Sequence, residues 1–190
     1  MPNKTVSTVF LRDILESSNF YGAKSKLSFA LGKDIGGNCI VGNISNLPHL
    51  LIAGTTGSGK SVCMNSLILS LLYKARPDEV KLIMIDPKMV ELGIYNGIPH
   101  LYVPVVTDPK KAAGALQWSV AEMLKRYRAF SELGVRDLNA YNEIQKNQKL
   151  ETLPRVVIVI DELADRMLVA SKDVEESICR VAQMGRAAGM

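Results

Sequence analysis

A glycine-rich octapeptide, GTTGSGKS at residues 54 to 61, constrains the fold of this 190-residue chain more than any other segment. It fits the pattern G-x-x-x-x-G-K-[S/T], in which successive backbone N–H groups surround a phosphate group. The short apolar run HLLIAG leads into it, and a helical pattern from about Lys60 to Lys74 follows it. A strand, a tight turn and a helix in that order are the context that the motif requires. The sequence therefore predicts a phosphate-binding loop in an α/β fold.

The residue types of this loop favour a nucleoside triphosphate bound with a metal ion. The glycines allow a tight turn, and the helix that follows adds the partial positive charge of its N-terminus. Lys60 is expected to reach the β- and γ-phosphates, and the Ser61 hydroxyl to bind Mg²⁺. A chance match in an ordinary glycine-rich turn is the alternative. The predicted nucleotide-binding residues are Gly54, Thr55, Thr56, Gly57, Ser58, Gly59, Lys60 and Ser61.

A second feature is the segment VVIVIDE, residues 156 to 162, in which an apolar strand ends in two carboxylates. Asp161 is predicted to hold Mg²⁺, and Glu162 to act as the general base that polarises the attacking water. A strand that simply ends at solvent is the alternative interpretation. The adjacent acidic pair favours hydrolysis of ATP, and no NKxD-type motif for guanine follows it. ATP and Mg²⁺ are therefore the expected ligands.

The remaining pattern predicts an α/β fold. LSFALG and CIVG flank the turn KDIGGN and indicate a β-hairpin. Further on, the apolar runs VKLIMID, YVPVVT and RVVIVIDE alternate with amphipathic helical patterns, one of which begins at Asp108 and Pro109. Continuous apolar strands between such helices predict a mostly parallel sheet with helices on both faces.

Several charged residues have both a structural and a functional interpretation. Asp86 and Lys88 follow a predicted strand, where they either line the ligand edge of the sheet or belong to a polar turn. The basic run KRYR, residues 125 to 128, is explained by a solvated helix face, with a DNA contact as the alternative. Arg180 and Arg186 lie beyond the carboxylate pair on the last predicted helix, where they either face a phosphate or, as is usual there, are only surface residues.

Composition narrows the class of protein without identifying it. The net charge of +4, from 23 basic and 19 acidic residues, is too small to indicate nucleic acid by itself. No apolar run is long enough to cross a membrane, so no membrane contact is expected of this segment. Cys39, Cys63 and Cys179 are scattered and predict buried thiols in a reducing compartment. His49 and His100 lie far apart, which favours structural roles over a metal site.

Taken together, these residues resemble the FtsK/SpoIIIE family of DNA translocases. The strings that carry the resemblance are LPHLLIAGTTGSGKSV, MIDPKMVELGIYNGIPHLYVPVVTDPKKA, GVRDLNAYN, VVIVIDELAD and QMGRAAG. They identify residues 27–190 as the N-terminal and central part of a RecA-like ATPase motor, with residues 1–26 as a linker or the tail of a preceding domain. The resemblance implies a homo-hexameric ring that moves double-stranded DNA in chromosome segregation, during cell division or sporulation. It also implies full-length proteins anchored in the cell membrane with the motor on the cytoplasmic face.

Two other functions remain open at this point: a related ring ATPase that drives protein secretion, and a nucleotide-binding module without turnover. The resemblance places Gly54 to Ser61 in the phosphate loop and Asp161 and Glu162 in the catalytic pair. Arg186, within QMGRAAG, is a candidate catalytic arginine acting on a neighbouring subunit's site. The resemblance also implies a further strand after residue 190, between the strands at 49–53 and 156–160. Without that strand we expect an incomplete sheet, a tendency to aggregate and poor turnover.

Overall fold

The computed structural model describes residues 8–47, 49–55, 57–162 and 172–190. The chain divides into two compact units, Met1–Ala75 and Arg76–Met190. The first contains the phosphate-loop sequence, and the second contains the Asp-Glu sequence. The division leaves the predicted domain boundary at residue 26 untested.

The first unit is built on the predicted β-hairpin. Strand β1 (Ser28–Lys33) pairs antiparallel with β2 (Cys39–Asn43), and the Asp34 carboxylate closes the turn by accepting the Asn38 backbone N–H at 2.8 Å. Two short helices, α1 (Leu11–Leu15) and α2 (Ser18–Tyr21), precede the hairpin. The Asn19 side chain donates to the Cys39 carbonyl at 2.7 Å, which joins α2 to β2.

Helix α3 (Lys60–Lys74) begins and ends where the sequence predicted, and it packs on the hairpin. The Ser70 hydroxyl accepts the Ala30 backbone N–H at 3.0 Å and donates to the Ser66 carbonyl. At its C-terminal end, Lys74 donates to the Phe20 carbonyl at 2.6 Å. Partial burial lowers the pKa of Lys74, because it disfavours the charged ammonium group. These contacts fix the helix that carries the predicted phosphate-binding lysine at its start.

The predicted strand HLLIAG is wrong for this structure. Residues 49–55 have no strand conformation, and the Leu51 side chain is 76% exposed. A strand is maintained by hydrogen bonds to a neighbouring strand, and among the described residues no ladder includes this segment. The segment is apolar, but an apolar segment forms a strand only when a neighbouring strand pairs with it.

The second unit contains a parallel sheet. Strand β3 (Val80–Ile85) pairs with β4 (Arg155–Ile160) in the register Val80↔Arg155 to Ile85↔Ile160. The predicted strand YVPVVT, residues 102–107, lies along the other edge of β3, but only single parallel bridges form, at Val106 and at the preceding residue Leu101. Between them, Pro104 has no N–H group, and the Val105 N–H donates to the Asn96 side chain instead. These two features interrupt the ladder.

Among the described residues of the second unit, the α-helices are α4 (Pro109–Glu132), α5 (Leu138–Asn147) and α6 (Lys172–Ala188). As predicted, Asp108 caps α4, accepting the Lys111 N–H at 3.0 Å with a proline at the first helical position. Side chains of α4 and α6 pack against Ile158 and Ile160, which lie on one face of the sheet. The fold is therefore α/β with a parallel sheet, as predicted.

The cysteine prediction was wrong in part. All three cysteines are free thiols, but Cys179 is exposed, and Cys39 and Cys63 are half-buried. Cys179 lies on α6, whose inward side is occupied by Val174 and Val181. The scattered spacing excluded a disulfide framework, but it carried no information about burial.

Within the described residues, no helix has the length and apolar character needed to cross a membrane.

The segment GRAAGM forms a glycine-terminated helix end of the Schellman type. Gly189 has a left-handed φ of 78°, the Met190 N–H donates to the Gly185 carbonyl at 2.8 Å, and the Gly189 N–H donates to Arg186 at 3.1 Å. The Gly189 carbonyl then accepts the Val156 N–H at 2.8 Å. A Cβ at position 189 would overlap with the Leu138 side chain. Gly189 therefore joins α6 to both α5 and β4.

We expect Gly189→Ala to destabilise the chain by about 1–2 kcal/mol or more, since alanine disfavours this φ and its Cβ displaces Leu138. Gly114→Ala is the matched control, because Gly114 lies in α4 with open space around it. There alanine should stabilise by about 0.5–1 kcal/mol through helix propensity. Urea unfolding of both variants checks the prediction, and an equal response at the two glycines would contradict it.

Candidate nucleotide-binding site

The phosphate-loop sequence forms a tight turn that only glycine accommodates easily. Gly57 and Gly59 have left-handed φ values of 78° and 96°, and the Ser58 N–H donates to the Thr55 carbonyl at 3.0 Å. A Cβ at Gly54 would overlap with the Ser58 side chain. The backbone conformation therefore explains glycine at positions 57 and 59, and the close approach of Ser58 explains it at position 54. Thr56, also predicted to bind nucleotide, lies outside the described residues.

The turn leads directly into the N-terminus of α3. Gly59 is the N-cap residue, and it has no side chain to accept the N–H groups of the first turn. Lys60 and Ser61 are the first two helical residues, and both are half-buried. Backbone donors, a helix N-terminus, a lysine and a hydroxyl form a donor set that fits a triphosphate. The geometry of this unit therefore agrees with the predicted chemistry.

In the second unit, two buried aspartates follow neighbouring strands at adjacent positions. Ile85 pairs with Ile160, and the Asp161 N–H donates to the Ile85 carbonyl at 2.9 Å. The next residues, Asp86 and Asp161, are 0% and 5% exposed, respectively. Both strands run in the same direction, so their acidic residues emerge at the carboxyl edge of the sheet, where α/β proteins bind ligands.

Asp86 has a structural role that decides between the two sequence interpretations. Its carboxylate accepts three backbone N–H groups, from Lys88 at 3.1 Å, Glu91 at 3.1 Å and Leu92 at 2.9 Å. Several donors of this kind stabilise a buried carboxylate and fix the path of the loop. Asp86 thus holds the segment after β3 in place.

Asp161 and Glu162 differ in their surroundings. Asp161 is buried at the strand end, whereas the Glu162 side chain is 31% exposed and its backbone has a left-handed φ of 57°. The Lys88 ammonium lies 3.4 Å from Glu162 Oε2. Sequence analysis did not predict this ion pair, because the two residues are far apart in the chain and meet only through the pairing of β3 with β4.

Magnesium fits the available oxygen ligands. Among the described residues, no group of three or more His, Cys, Asp or Glu side chains is arranged to hold a metal ion by itself. Mg²⁺ commonly retains water and binds through one or two carboxylates together with substrate phosphates. The Ser61 hydroxyl in the first unit and the buried Asp161 carboxylate in the second are each oxygen ligands of a kind that Mg²⁺ accepts, and their joint role in holding the metal stays a prediction.

The basic run at residues 125 to 128 is not uniformly solvated. Arg126 is 1% exposed and donates to the carbonyls of Pro154 at 2.8 Å and Ala188 at 3.0 Å, as well as to the Glu122 carboxylate at 3.0 Å. It therefore joins α4 to the start of β4 and the end of α6. The expected solvated face is wrong for Arg126, while Lys125 and Arg128 are exposed.

The arginines of the last helix remain surface residues in this chain. Arg180 and Arg186 are both exposed on α6, and the backbone of Arg186 takes part in the helix end described above. The predicted catalytic role of Arg186 on a neighbouring subunit stays a prediction.

The comparison with protein families gives one match that covers nearly the whole chain. The FtsK/SpoIIIE family model matches residues 10–190. A protein named DNA translocase FtsK from Clostridium acetobutylicum is 61% identical over 191 aligned residues, which cover 100% of this chain and 25% of that protein. Its namesake from Caldanaerobacter subterraneus subsp. tengcongensis is 58% identical, with 100% and 26% covered. The chain thus spans about a quarter of the length of these relatives.

Solved structures show the same fold. The conjugation coupling protein TcpA of pCW3, in a monomer form with ATPγS, gives a TM-score of 0.73 at 26% identity, covering 91% of this chain and 48% of that one. The cytoplasmic domain of the type VII secretion ATPase EccC from Thermomonospora curvata gives 0.77 at 22% identity, covering 96% and 24%. The second likeness, at 22% identity, concerns the fold alone. The match of the family model over residues 10–190, together with about 60% identity across the whole chain, shows that this chain belongs to the FtsK/SpoIIIE family.

Proposed function

We propose that this chain is the nucleotide-binding part of an ATP-driven motor that moves double-stranded DNA, in chromosome segregation. The observation that carries the proposal is the identity of 61% over the whole chain with a protein named DNA translocase FtsK. The phosphate-loop geometry supports ATP as the substrate, because the loop offers backbone donors, Lys60 and Ser61 to a triphosphate. We further propose that the complete protein assembles as a homo-hexameric ring around DNA. In this proposal the ring works on the cytoplasmic face of the cell membrane.

The proposed chemistry assigns one task to each residue. Lys60 binds the β- and γ-phosphates, while the loop N–H groups from Gly54 onward hold the phosphate oxygens. Ser61 and Asp161 hold Mg²⁺, which neutralises phosphate charge when it is bound. Glu162 orients the attacking water and accepts its proton. The buried position of Asp161 and the more exposed position of Glu162 suit these two tasks.

Arg186 is proposed to act in trans, on the nucleotide of a neighbouring subunit. Its exposed position on α6 leaves the guanidinium group accessible, and an arginine that stabilises charge on a transferred phosphate is worth about 10³-fold or more in rate. Arg186→Ala, measured in the assembled, DNA-bound protein, tests this role. Normal hydrolysis would make Arg186 a surface residue only.

A motor that moves along any sequence cannot depend on base contacts, so its DNA binding should be directed at the phosphate backbone. We expect the intact protein to bind unrelated duplexes with similar affinity, and to lose about tenfold or more between 50 and 200 mM salt. Fluorescence anisotropy with two unrelated duplexes measures both properties. Tight binding of a single sequence that salt does not weaken would contradict a backbone-directed motor.

Protein secretion is the competing function. The type VII secretion ATPase EccC shares the fold at 22% identity, and the cytoplasmic domain of EssC shares it at 24% identity with a TM-score of 0.75. Likenesses at this level of identity concern the fold only. The much higher identity to DNA translocases over the same residues favours DNA as the substrate.

A further inference from the structure

We propose that Lys88 is a positioning residue for ATP hydrolysis, holding the Glu162 carboxylate in the orientation that the attacking water requires. The inference rests on the proposed function of Glu162 as general base. It assigns Lys88 a role in the rate of hydrolysis and none in the affinity for nucleotide.

The sheet brings the two residues together. Lys88 follows β3 by three residues and Glu162 follows β4 by two, and the strands are parallel neighbours in the register Ile85↔Ile160. At the carboxyl edge, the Lys88 Nζ and Glu162 Oε2 atoms are 3.4 Å apart, an ion pair between the ends of adjacent strands. The pair therefore connects the predicted catalytic base to a second strand.

The loop that presents Lys88 has a fixed shape. The buried Asp86 carboxylate accepts the backbone N–H of Lys88 itself and those of Glu91 and Leu92. Met89, next to Lys88, has a left-handed φ of 57°, which a residue with a Cβ adopts only where its surroundings determine it. The loop fixes the backbone of Lys88, and the 51% exposed side chain reaches Glu162 from that position.

Glu162 is the residue that needs orientation. Its side chain is 31% exposed, and its backbone lies in the left-handed region just beyond the strand end. A partly exposed carboxylate samples several rotamers unless a contact selects one. The geometric demand of a general base is strict, and a misplacement of about 1 Å can cost a hundredfold in rate. The ammonium of Lys88, 3.4 Å from Glu162 Oε2, supplies a contact of this kind.

A lysine at this edge of the sheet could instead bind a phosphate directly, and the two roles predict different kinetics. A phosphate contact contributes to the affinity for ATP as well as to the rate. Loss of a positioning contact lowers kcat alone. It has no further effect once the Glu162 carboxylate has been removed. A double-mutant cycle separates these outcomes.

The experiment compares Lys88→Met, Lys88→Arg, Glu162→Gln and the Lys88→Met/Glu162→Gln double variant in the intact protein with saturating DNA. Steady-state ATP hydrolysis gives kcat and KM, and ATPγS binding by calorimetry gives nucleotide affinity without turnover. Lys146→Met, on an exposed position of α5, is the matched control for loss of a lysine. Thermal unfolding verifies that each variant is folded.

We expect Lys88→Met to lower kcat by about three- to fivefold, which is the range that a partly exposed ion pair permits, with KM and ATPγS affinity within about twofold of the parent. Lys88→Arg should recover part of the loss, and Lys88→Met should change the rate of the Glu162→Gln variant by less than about twofold. An unchanged kcat, an equal loss in both backgrounds or a tenfold weaker ATPγS affinity would each overturn the inference. A parent protein that does not hydrolyse ATP would overturn the proposed function, and this inference with it.

Discussion

Glu162→Gln should bind ATP normally and hydrolyse it about 10² to 10⁴ times more slowly than the parent protein. Glutamine keeps the size of the side chain and the Cβ, so the left-handed backbone at φ 57° is as acceptable as before. The ability to accept a proton is removed. The ion pair to Lys88 is also weakened, but a partly exposed pair of this kind contributes only about 0–1 kcal/mol to stability.

Phosphate release gives the rate for this variant, and ATPγS binding gives its nucleotide affinity. Glu143→Gln is the matched control, because Glu143 is exposed on α5 and has no proposed role. Hydrolysis by Glu162→Gln at the parent rate would show that another group serves as the base.

Lys60→Ala should weaken ATP binding by about 10- to 100-fold and abolish turnover. Lysine supplies the charged contact to the β- and γ-phosphates, and a hydrogen bond to a charged group is worth about 1.5–3 kcal/mol. The fold should be retained, since Lys60 begins α3 and alanine is a strong helix former. Loss of function without unfolding would therefore assign the lysine to the nucleotide.

Titration with a fluorescent ATP analogue, together with circular dichroism, checks both parts of this prediction. Lys24→Ala, at an exposed position in the same unit, controls for the loss of one positive charge. If Lys60→Ala binds and hydrolyses ATP like the parent, the assignment of the phosphate loop fails.

Most of the predicted helices and two of the four predicted sheet strands form as expected, because their signals are local. The cap at Asp108 and the helical pattern after it predicted α4, and the continuous apolar runs predicted β3 and β4. The strand at residues 49–53 failed because pairing depends on a neighbour that an apolar run cannot specify. The expected strand beside β4 and the expected aggregation stay predictions.

The sequence predicted which residue types form the candidate site, but it did not predict which of these residues contact one another. The sequence indicated the loop glycines, whose left-handed φ values at Gly57 and Gly59 the structure confirms. The contacts of Asp86 and the pairing of Lys88 with Glu162 depend on the loop after β3 and on the register of β3 and β4, which no short motif encodes.

Burial of Arg126 did have a signal in the sequence. Ser119, Met123, Arg126 and Phe130 recur at three- and four-residue steps along α4, and all four are buried. The helical spacing therefore placed the arginine on the inward face, although the neighbouring basic residues suggested a solvated run. Position within the helix outweighed the local charge pattern.

The central claim, an ATPase whose turnover is coupled to double-stranded DNA, is tested most directly by ATP hydrolysis of the intact protein with and without DNA. We compare four polymers: two DNA duplexes of unrelated sequence, an RNA duplex and an unfolded polypeptide. The Glu162→Gln variant gives the background rate. We expect both DNA duplexes to stimulate hydrolysis by about tenfold or more above the polymer-free rate, a factor that corresponds to about 1.4 kcal/mol in activation free energy. Stimulation by the polypeptide with none by DNA, or an ATPase rate that no polymer changes, would contradict the account.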